Sequence, residues 1–224
     1  MRRMIIAITG ASGACYGVSA LKMLRELGGV ETHLILSPAG VRTMIEEGAA
    51  QSAEEVKALA DVWYPHKDIG AAVASGSFRC DGMLVAPCSI KTLSGIAHCY
   101  DNDLVTRAAD VCLKERRRVV LMVRETPLHA GHIALMDQAT RNGAIITPPV
   151  PSFYTRPRSI DDLVRQTVGR ALDLFDFDHP GVRRWKETAA PERGSEAGNG
   201  AAAPQLHGWD ANEWSPEGTT GENS

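Results

Sequence analysis

The 224-residue chain has no apolar run approaching the length a bilayer crossing requires. Its longest stretches, around residues 83–86 and 119–123, are a handful of residues against the ~20 needed, so no membrane helix is expected. Arg2 and Arg3 ahead of apolar residues 4–8 superficially look like a secretory signal, but Thr9-Gly10 cuts the run short and a first strand is the better reading. The five cysteines (Cys15, Cys80, Cys88, Cys99, Cys112) form no C-x-x-C pair. That argues against a disulfide framework and a structural zinc site, and places the protein in the cytoplasm. No repeat at a fixed period is present, and no strong charge of either sign: the formal net charge is −3. The acid is concentrated in residues 187–224, where seven carboxylates stand against Arg193 alone, leaving the first 186 residues weakly basic. A weak positive balance suits small anionic ligands better than a nucleic-acid surface.

What is there is ordinary globular composition, 44% hydrophobic and 23% charged, in which short apolar runs alternate with amphipathic segments. That alternation predicts βα units and a mainly parallel sheet with helices on both faces, a three-layer α/β architecture. Strands are predicted over residues 4–9, 32–36, 82–86, 118–123 and 144–147, and helices over 13–27, 37–46, 53–60, 104–114, 133–141 and 160–175. Ser37-Pro38 opens one helix, since a serine hydroxyl satisfies an orphan amide and proline suits the first turn. Ser159 with Asp162 three residues on resembles a capping box. Pro148-Pro149-Val150-Pro151 forces an extended loop. One domain over residues 1–186 and a disordered acidic tail over 187–224 follow from the loss of periodicity and the Gly, Ala, Pro and Glu enrichment beyond Trp185.

Three constellations carry chemistry. Thr9-Gly10-Ala11-Ser12-Gly13-Ala14 links the first strand to the first helix, where glycines admit close approach and free helix amides attract phosphate. The plain alternative is a tight turn. The glycines at 10, 13 and 17 are not spaced as G-x-G-x-x-G, and Ser37 stands where a dinucleotide site places an acid, so a mononucleotide is favoured. Pro87-Cys88-Ser89-Ile90-Lys91-Thr92 is a second strand-to-helix edge whose hydroxyls cap the helix or bind phosphate. Cys88 reads as a buried strand-end thiol, not a nucleophile. Arg107, Lys114, Arg124 with Glu125, Tyr154 and Arg170 form the third group, taken singly solvated side chains, together suited to a dianion without a metal. The run Lys114-Glu115-Arg116-Arg117-Arg118 looks like a surface charge run, and His129-x-x-His132 lacks a third ligand at a metal spacing. Glu46 and Glu47 fall at a helix end in solvent.

Those motifs, with Ser75-Gly76-Ser77, Arg107-Ala108-Ala109-Asp110-Val111 and Pro151-Ser152-Phe153-Tyr154, resemble in order the UbiX-type flavin prenyltransferases across nearly the whole core. The resemblance implies a Rossmann-like or flavodoxin-like subunit, typically of a homododecamer. It implies transfer of a dimethylallyl group from dimethylallyl monophosphate to N5 and C6 of reduced FMN, giving prenylated FMN for UbiD-type decarboxylases. Carried over by position, Gly10, Ala11, Ser12, Ser37, Ser89, Ile90, Lys91, Thr92 and Arg124 bind FMN. Ser75, Arg107, Lys114, Glu125, Tyr154 and Arg170 hold the prenyl phosphate, in part across subunits, with Glu125 as its proton donor. Glu47, acting through Ser12, is the base near the flavin's reactive edge. Ile69 replaces a tryptophan found in some members, and the His98-Cys99-Tyr100 loop has no assigned role. Two other readings differ in class: an FMN-binding accessory subunit of an aromatic-acid decarboxylase without catalysis of its own, and a flavin-dependent cysteine decarboxylase of related fold.

Overall fold

In the computed structural model, residues 1–185 are described. The chain runs β1 (Arg2–Ile8), α1 (Ala14–Leu27), β2 (Val30–Leu36), α2 (Pro38–Glu46), α3 (Ala53–Lys57), β3 (Val62–Tyr64), a 3-10 turn (Ala72–Ala74) and β4 (Gly82–Cys88). It continues with α4 (Ile90–Ala97), α5 (Leu104–Lys114), β5 (Arg118–Val123), α6 (Ala130–Arg141), β6 (Ile145–Ile146), a second 3-10 turn (Phe153–Thr155) and α7 (Ile160–Asp173). All described strand pairs are parallel, in the order β3-β2-β1-β4-β5-β6. The chain reverses its direction of winding between β1 and β4, and open α/β sheets bind ligands outside the carboxyl ends of strands at such a switch point.

Alternation along each buried strand builds the two other layers. Met4, Ile6 and Ile8 of β1 pack with α1, α3 and α7, whereas Ile5 and Ala7 face α4, α5 and the 3-10 turn. Val120 and Met122 repeat the first pattern in β5, and Val119, Leu121 and Val123 the second. The strands are therefore apolar on both faces, which is why they appear in the sequence as unbroken runs. At Gly17 the helix lies so close to the sheet that a Cβ would come 2.3 Å from the Ala86 carbonyl oxygen.

Several boundaries move for local reasons. α6 begins at Ala130 and not at 133, because His129 Nδ1 accepts the Gly131 amide at 3.0 Å and caps the helix. α3 ends at Lys57, its last residues relaxing into a turn through Ala60, and α7 stops at Asp173 before a turn that carries Phe175. β4 extends to Cys88 and β2 starts at Val30. β3 is a three-residue strand at the sheet edge, too short to show a period. Ser159 and Asp162 form the full reciprocal capping box. The acidic segment 187–224 lies outside the described residues. Among the described residues no helix is long and apolar enough to cross a membrane, and no group of three or more His, Cys, Asp or Glu is placed to hold a metal.

Candidate active site at the switch point

Buried Thr9 ties the two central strand ends together. Its hydroxyl donates to the Pro87 carbonyl at 2.7 Å and accepts the Ser89 amide at 2.9 Å. The Ser37 amide donates to the Ile8 carbonyl at 3.0 Å, and the Arg124 amide to that of Cys88 at 3.2 Å, so the ends of β1, β2, β4 and β5 meet at one edge. Three helices begin there under polar caps: Ser37 Oγ accepts the Gly40 amide at 2.9 Å, Ser89 Oγ that of Thr92 at 3.4 Å, and Asp103 Oδ1 that of Thr106 at 3.0 Å. Their N-termini aim partial positive charge into a cavity of about 480 Å³.

Gly10, Ser37, Ser89, Ile90, Lys91, Thr92 and Glu125, all predicted from sequence, line this cavity. A Cβ on Gly10 would fall 2.4 Å from Ala39 Cβ, so only glycine lets the first loop lie against α2. Ala11, Ser12 and Arg124 lie on the adjoining loops, Ala11 in a turn to the Thr9 carbonyl at 2.9 Å and Ser12 exposed. Two lining residues, His66 and Asp103, had no signal tying them to a ligand. The Leu104 amide binds the His66 carbonyl at 2.9 Å, bringing them together across the fold. Asp103 Oδ2 receives Lys91 Nζ at 3.0 Å and stands 3.6 Å from His66 Nε2. Burial pushes the Asp103 carboxyl up, but the Thr106 amide, the Lys91 ammonium and His66 outweigh it and hold its pKa below the usual range. Burial lowers that of His66 against the opposing pull of Asp103. With Lys91's ammonium engaged, α4 offers a phosphate its amides and hydroxyls.

One expectation is corrected. The first amides of α1 are not free for phosphate, because Glu47 has taken them: its carboxylate accepts Gly13 N with both oxygens at 3.0 Å and Ala14 N at 3.0 Å. Glu47 is exposed, but it is pinned beside Ser12 at the ligand loop and not directed away into solvent. An acid at a helix N-terminus is favoured by the macrodipole, typically by about 1 kcal/mol. That leaves the N-termini of α2 and α4 as the helix ends open to the cavity.

The prenyl-phosphate residues do not converge within one chain. Arg107, one turn into α5, pairs with Asp101 at 3.1 Å and Asp110 at 3.2 Å. Lys114 ends α5, roughly 16 Å from its first residue by helix rise, at the edge where strands begin. There it joins the Ser75 segment: a Cβ on Gly76 would lie 2.8 Å from Lys114 Nζ. Arg170 sits in the last turn of α7 on the opposite face, paired with Asp173, and the Tyr154 hydroxyl binds the Arg183 carbonyl at 3.3 Å near the start of that helix. The charge run 114–118 is also not purely solvated, since Arg117 binds the Phe78 and Gly76 carbonyls at 2.5 and 2.8 Å.

A doubly wound parallel sheet with a cavity of amides and hydroxyls at its switch point, and Ser37 in place of an acid at the end of β2, is the arrangement of a mononucleotide-binding α/β protein. A family described as Flavoprotein matches residues 1–171. Flavin prenyltransferase UbiX of Escherichia coli (strain K12) is 56% identical over 180 residues, covering 80% of this chain and 95% of that protein. A crystal structure of AnUbiX (PadA1) in complex with FMN and dimethylallyl pyrophosphate is similar at 50% identity and TM-score 0.80, covering 82% of this chain and 97% of that one. A dodecameric FMN-dependent UbiX-like decarboxylase from Escherichia coli O157:H7 matches at 48% identity and TM-score 0.79, over 82% and 99%. The chain belongs to the flavoprotein family and, within it, to the UbiX flavin prenyltransferases. Likeness to the epidermin biosynthesis protein EpiD of Staphylococcus aureus and to the FMN-dependent cysteine decarboxylase SpaF, at 15% and 17% identity, is one of fold alone.

Proposed function

We propose that this chain joins a dimethylallyl group, supplied as dimethylallyl monophosphate, to N5 and C6 of reduced FMN, and that the prenylated FMN passes to a UbiD-type decarboxylase in the cytoplasm. The switch-point cavity carries the reading: polar caps of α2 and α4 face it, and His66, whose buried Nδ1 has no hydrogen-bond partner among the described residues, lines it. A phosphate-bearing heteroaromatic ligand fits that donor set. Ser37, Ser89 and Thr92 with the helix amides hold the FMN phosphate, and Arg124 adds a cation at the rim.

Reduced FMN supplies the nucleophilic nitrogen and carbon. The protein's task is the other partner: breaking the allylic C–O bond moves charge onto the leaving phosphate. Arg107, Lys114 and Arg170 stabilise that charge more in the transition state than before it, each such contact being worth roughly 3–4 kcal/mol when preorganised. No metal is required for that role. Glu125, on the cavity wall, hands a proton to the departing phosphate. Glu47, whose carboxylate is held at the ligand loop beside Ser12, takes up a proton released during ring closure. Because Ser75, Lys114, Tyr154 and Arg170 lie apart in one chain, the donor pocket is completed by neighbouring copies in a homododecamer.

Anaerobic incubation with reduced FMN and dimethylallyl monophosphate, read by product mass, tests this. A flavin heavier by one prenyl group is the expected product. Recovery of unmodified FMN alone favours the accessory-subunit reading, and the diphosphate run in parallel reads donor preference.

A further inference from the structure

Of the five thiols, two lie together at a place the prenyl transfer does not use. Cys80, on the segment leading into β4, and Cys112, in the last turns of α5, have their sulfurs 3.9 Å apart. Cys80 is half-buried beside exposed Arg79, within reach of a small solute, whereas Cys112 is 1% exposed. Arg117 Nη1 lies 3.9 Å from Cys80 Sγ while the same guanidinium grips the Phe78 and Gly76 carbonyls. A thiol beside an arginine, partly open to solvent and backed by a second, buried thiol, is the arrangement of an attacking and a resolving cysteine.

We propose that Cys80 and Cys112 are an oxidisable dithiol that a peroxide converts to an intrachain disulfide. The Cys80 thiolate attacks one peroxide oxygen, breaking the O–O bond and expelling hydroxide, which leaves Cys80 as a sulfenic acid. Cys112 sulfur then displaces the sulfenic hydroxyl, the S–S bond forms, and the Cys112 proton leaves with that hydroxyl as water. In sum two thiols and one hydrogen peroxide give one disulfide and two waters. The S–H of Cys112 hydrogen-bonded to Cys80, with Arg117 nearby, lowers the Cys80 pKa against the effect of burial, while the same hydrogen bond and burial raise that of Cys112. The other three thiols lack this setting: Cys88 is buried and raised by desolvation, Cys15 is raised likewise, and exposed Cys99 has no second sulfur against it.

The cross-link acts on a particular segment. Closing 3.9 Å to a bond of about 2 Å draws Cys80 toward α5 and disturbs the 76–80 segment whose Gly76 and Phe78 carbonyls Arg117 grips. Gly76 in that segment abuts Lys114 and Glu115, and Ser75 adjoins it. Resting on the donor-site reading above, oxidation therefore displaces Ser75 and Lys114 and weakens donor binding, leaving the flavin cavity at the other sheet edge untouched. The prenyl acceptor must be reduced flavin, so a peroxide-sensitive donor site falls silent under conditions in which that acceptor is itself consumed.

The test treats the full-length protein with hydrogen peroxide, alkylates free thiols and maps peptides without reduction. The expected product joins the peptides of Cys80 and Cys112, two hydrogens lighter than their sum and split by dithiothreitol. In Cys112→Ser, dimedone traps the Cys80 sulfenic acid, and in Cys80→Ser, Cys112 stays alkylatable. Alkylation of both cysteines at dose levels that oxidise Cys99 overturns the dithiol, as does a disulfide joining separate chains. The map needs no turnover, so it stands or falls apart from the prenyl-transfer reading. A donor KM that rises on oxidation and returns with dithiothreitol, at unchanged FMN affinity, supports the switch. A linked protein with unaltered donor KM overturns it.

Discussion

The two halves of the site are built differently. The flavin half lies at one sheet edge, and hydrogen bonds among four strand ends make it: the Thr9 hydroxyl to the Pro87 carbonyl and the Ser89 amide, and backbone bonds from Ser37 to Ile8 and from Arg124 to Cys88. Its geometry follows from the topology of a single chain. The donor-phosphate half has no such frame, with Lys114 and Ser75 at the strand-start edge, Arg170 on the opposite face, and Arg107 turned to Asp101 and Asp110. Cations held by carboxylates of their own chain are positioned, but not around a common point. A subunit folded alone thus presents a nucleotide cavity and a dispersed set of cations, which on the proposed function assembly would gather.

The sharpest break of that contrast is complementation. Lys114→Ala is expected to lower kcat/KM for the donor about 10²–10³-fold with FMN affinity intact, on the scale of one lost transition-state contact. Gly10→Val brings a side chain against Ala39 and is expected to abolish FMN binding in a fluorescence titration, with about 1–3 kcal/mol lost from thermal stability. Oligomers assembled from a mixture of the two variants regain turnover if donor and flavin residues come from different copies. Mixtures as inactive as their parents show instead that one chain supplies both. Arg124→Ala comes next: losing one charge-assisted contact to phosphate, about 1.5–3 kcal/mol, weakens FMN binding roughly tenfold or more, and full activity in this variant contradicts its assignment.

The flavin half was also the more legible in sequence. Gly10, Ser37 and Ser89 each stand where an apolar run gives way to a helical pattern, so local residue chemistry marks both the turn and the cavity it lines. The buried strands were legible as runs, whereas β3 was not, since three edge residues carry no period. His66 enters the cavity only through a backbone bond to Leu104 far along the chain, and no nearby residue announces it. Asp103 carried a usable signal, an Asp three residues before Thr106, but as a cap and not as a lining group. Glu47 looked solvated because its partners, the amides of Gly13 and Ala14, are distant in sequence. Most of the donor residues stood out as cations and hydroxyls suited to a dianion, but their assignment to one prenyl-phosphate pocket followed from resemblance, and nothing in composition or periodicity locates them together.

Asp103 gives a smaller effect confined to the flavin half. Its pKa lies below the unfolded value, so its contribution to stability is complete above the ordinary carboxylate range near pH 4 and disappears as pH falls through the lowered folded value. Asp103→Asn keeps the shape but loses the charge. About 1 kcal/mol of destabilisation is expected at pH 7, the Lys91 partner being well exposed and screened. Between pH 4 and the folded pKa the wild type should lose stability that the variant has already lost, so their melting temperatures converge on acidification. Curves that stay parallel refute a depressed Asp103.

The smallest effect is expected from deleting residues 187–224. The Escherichia coli K12 relative covers 80% of this chain while 95% of that protein is matched, so the family's fold and chemistry fit within the earlier part. Turnover and melting temperature should change little. The segment's seven acids against one base, on a protein whose donor site gathers cations, give one place for a difference: donor KM at low ionic strength. There removing net negative charge from the protein lowers KM for an anionic substrate modestly, a gain that salt erases. A collapse of activity on truncation would instead make the segment part of the donor half, and the contrast between one-chain and many-chain construction would then run inside the chain itself.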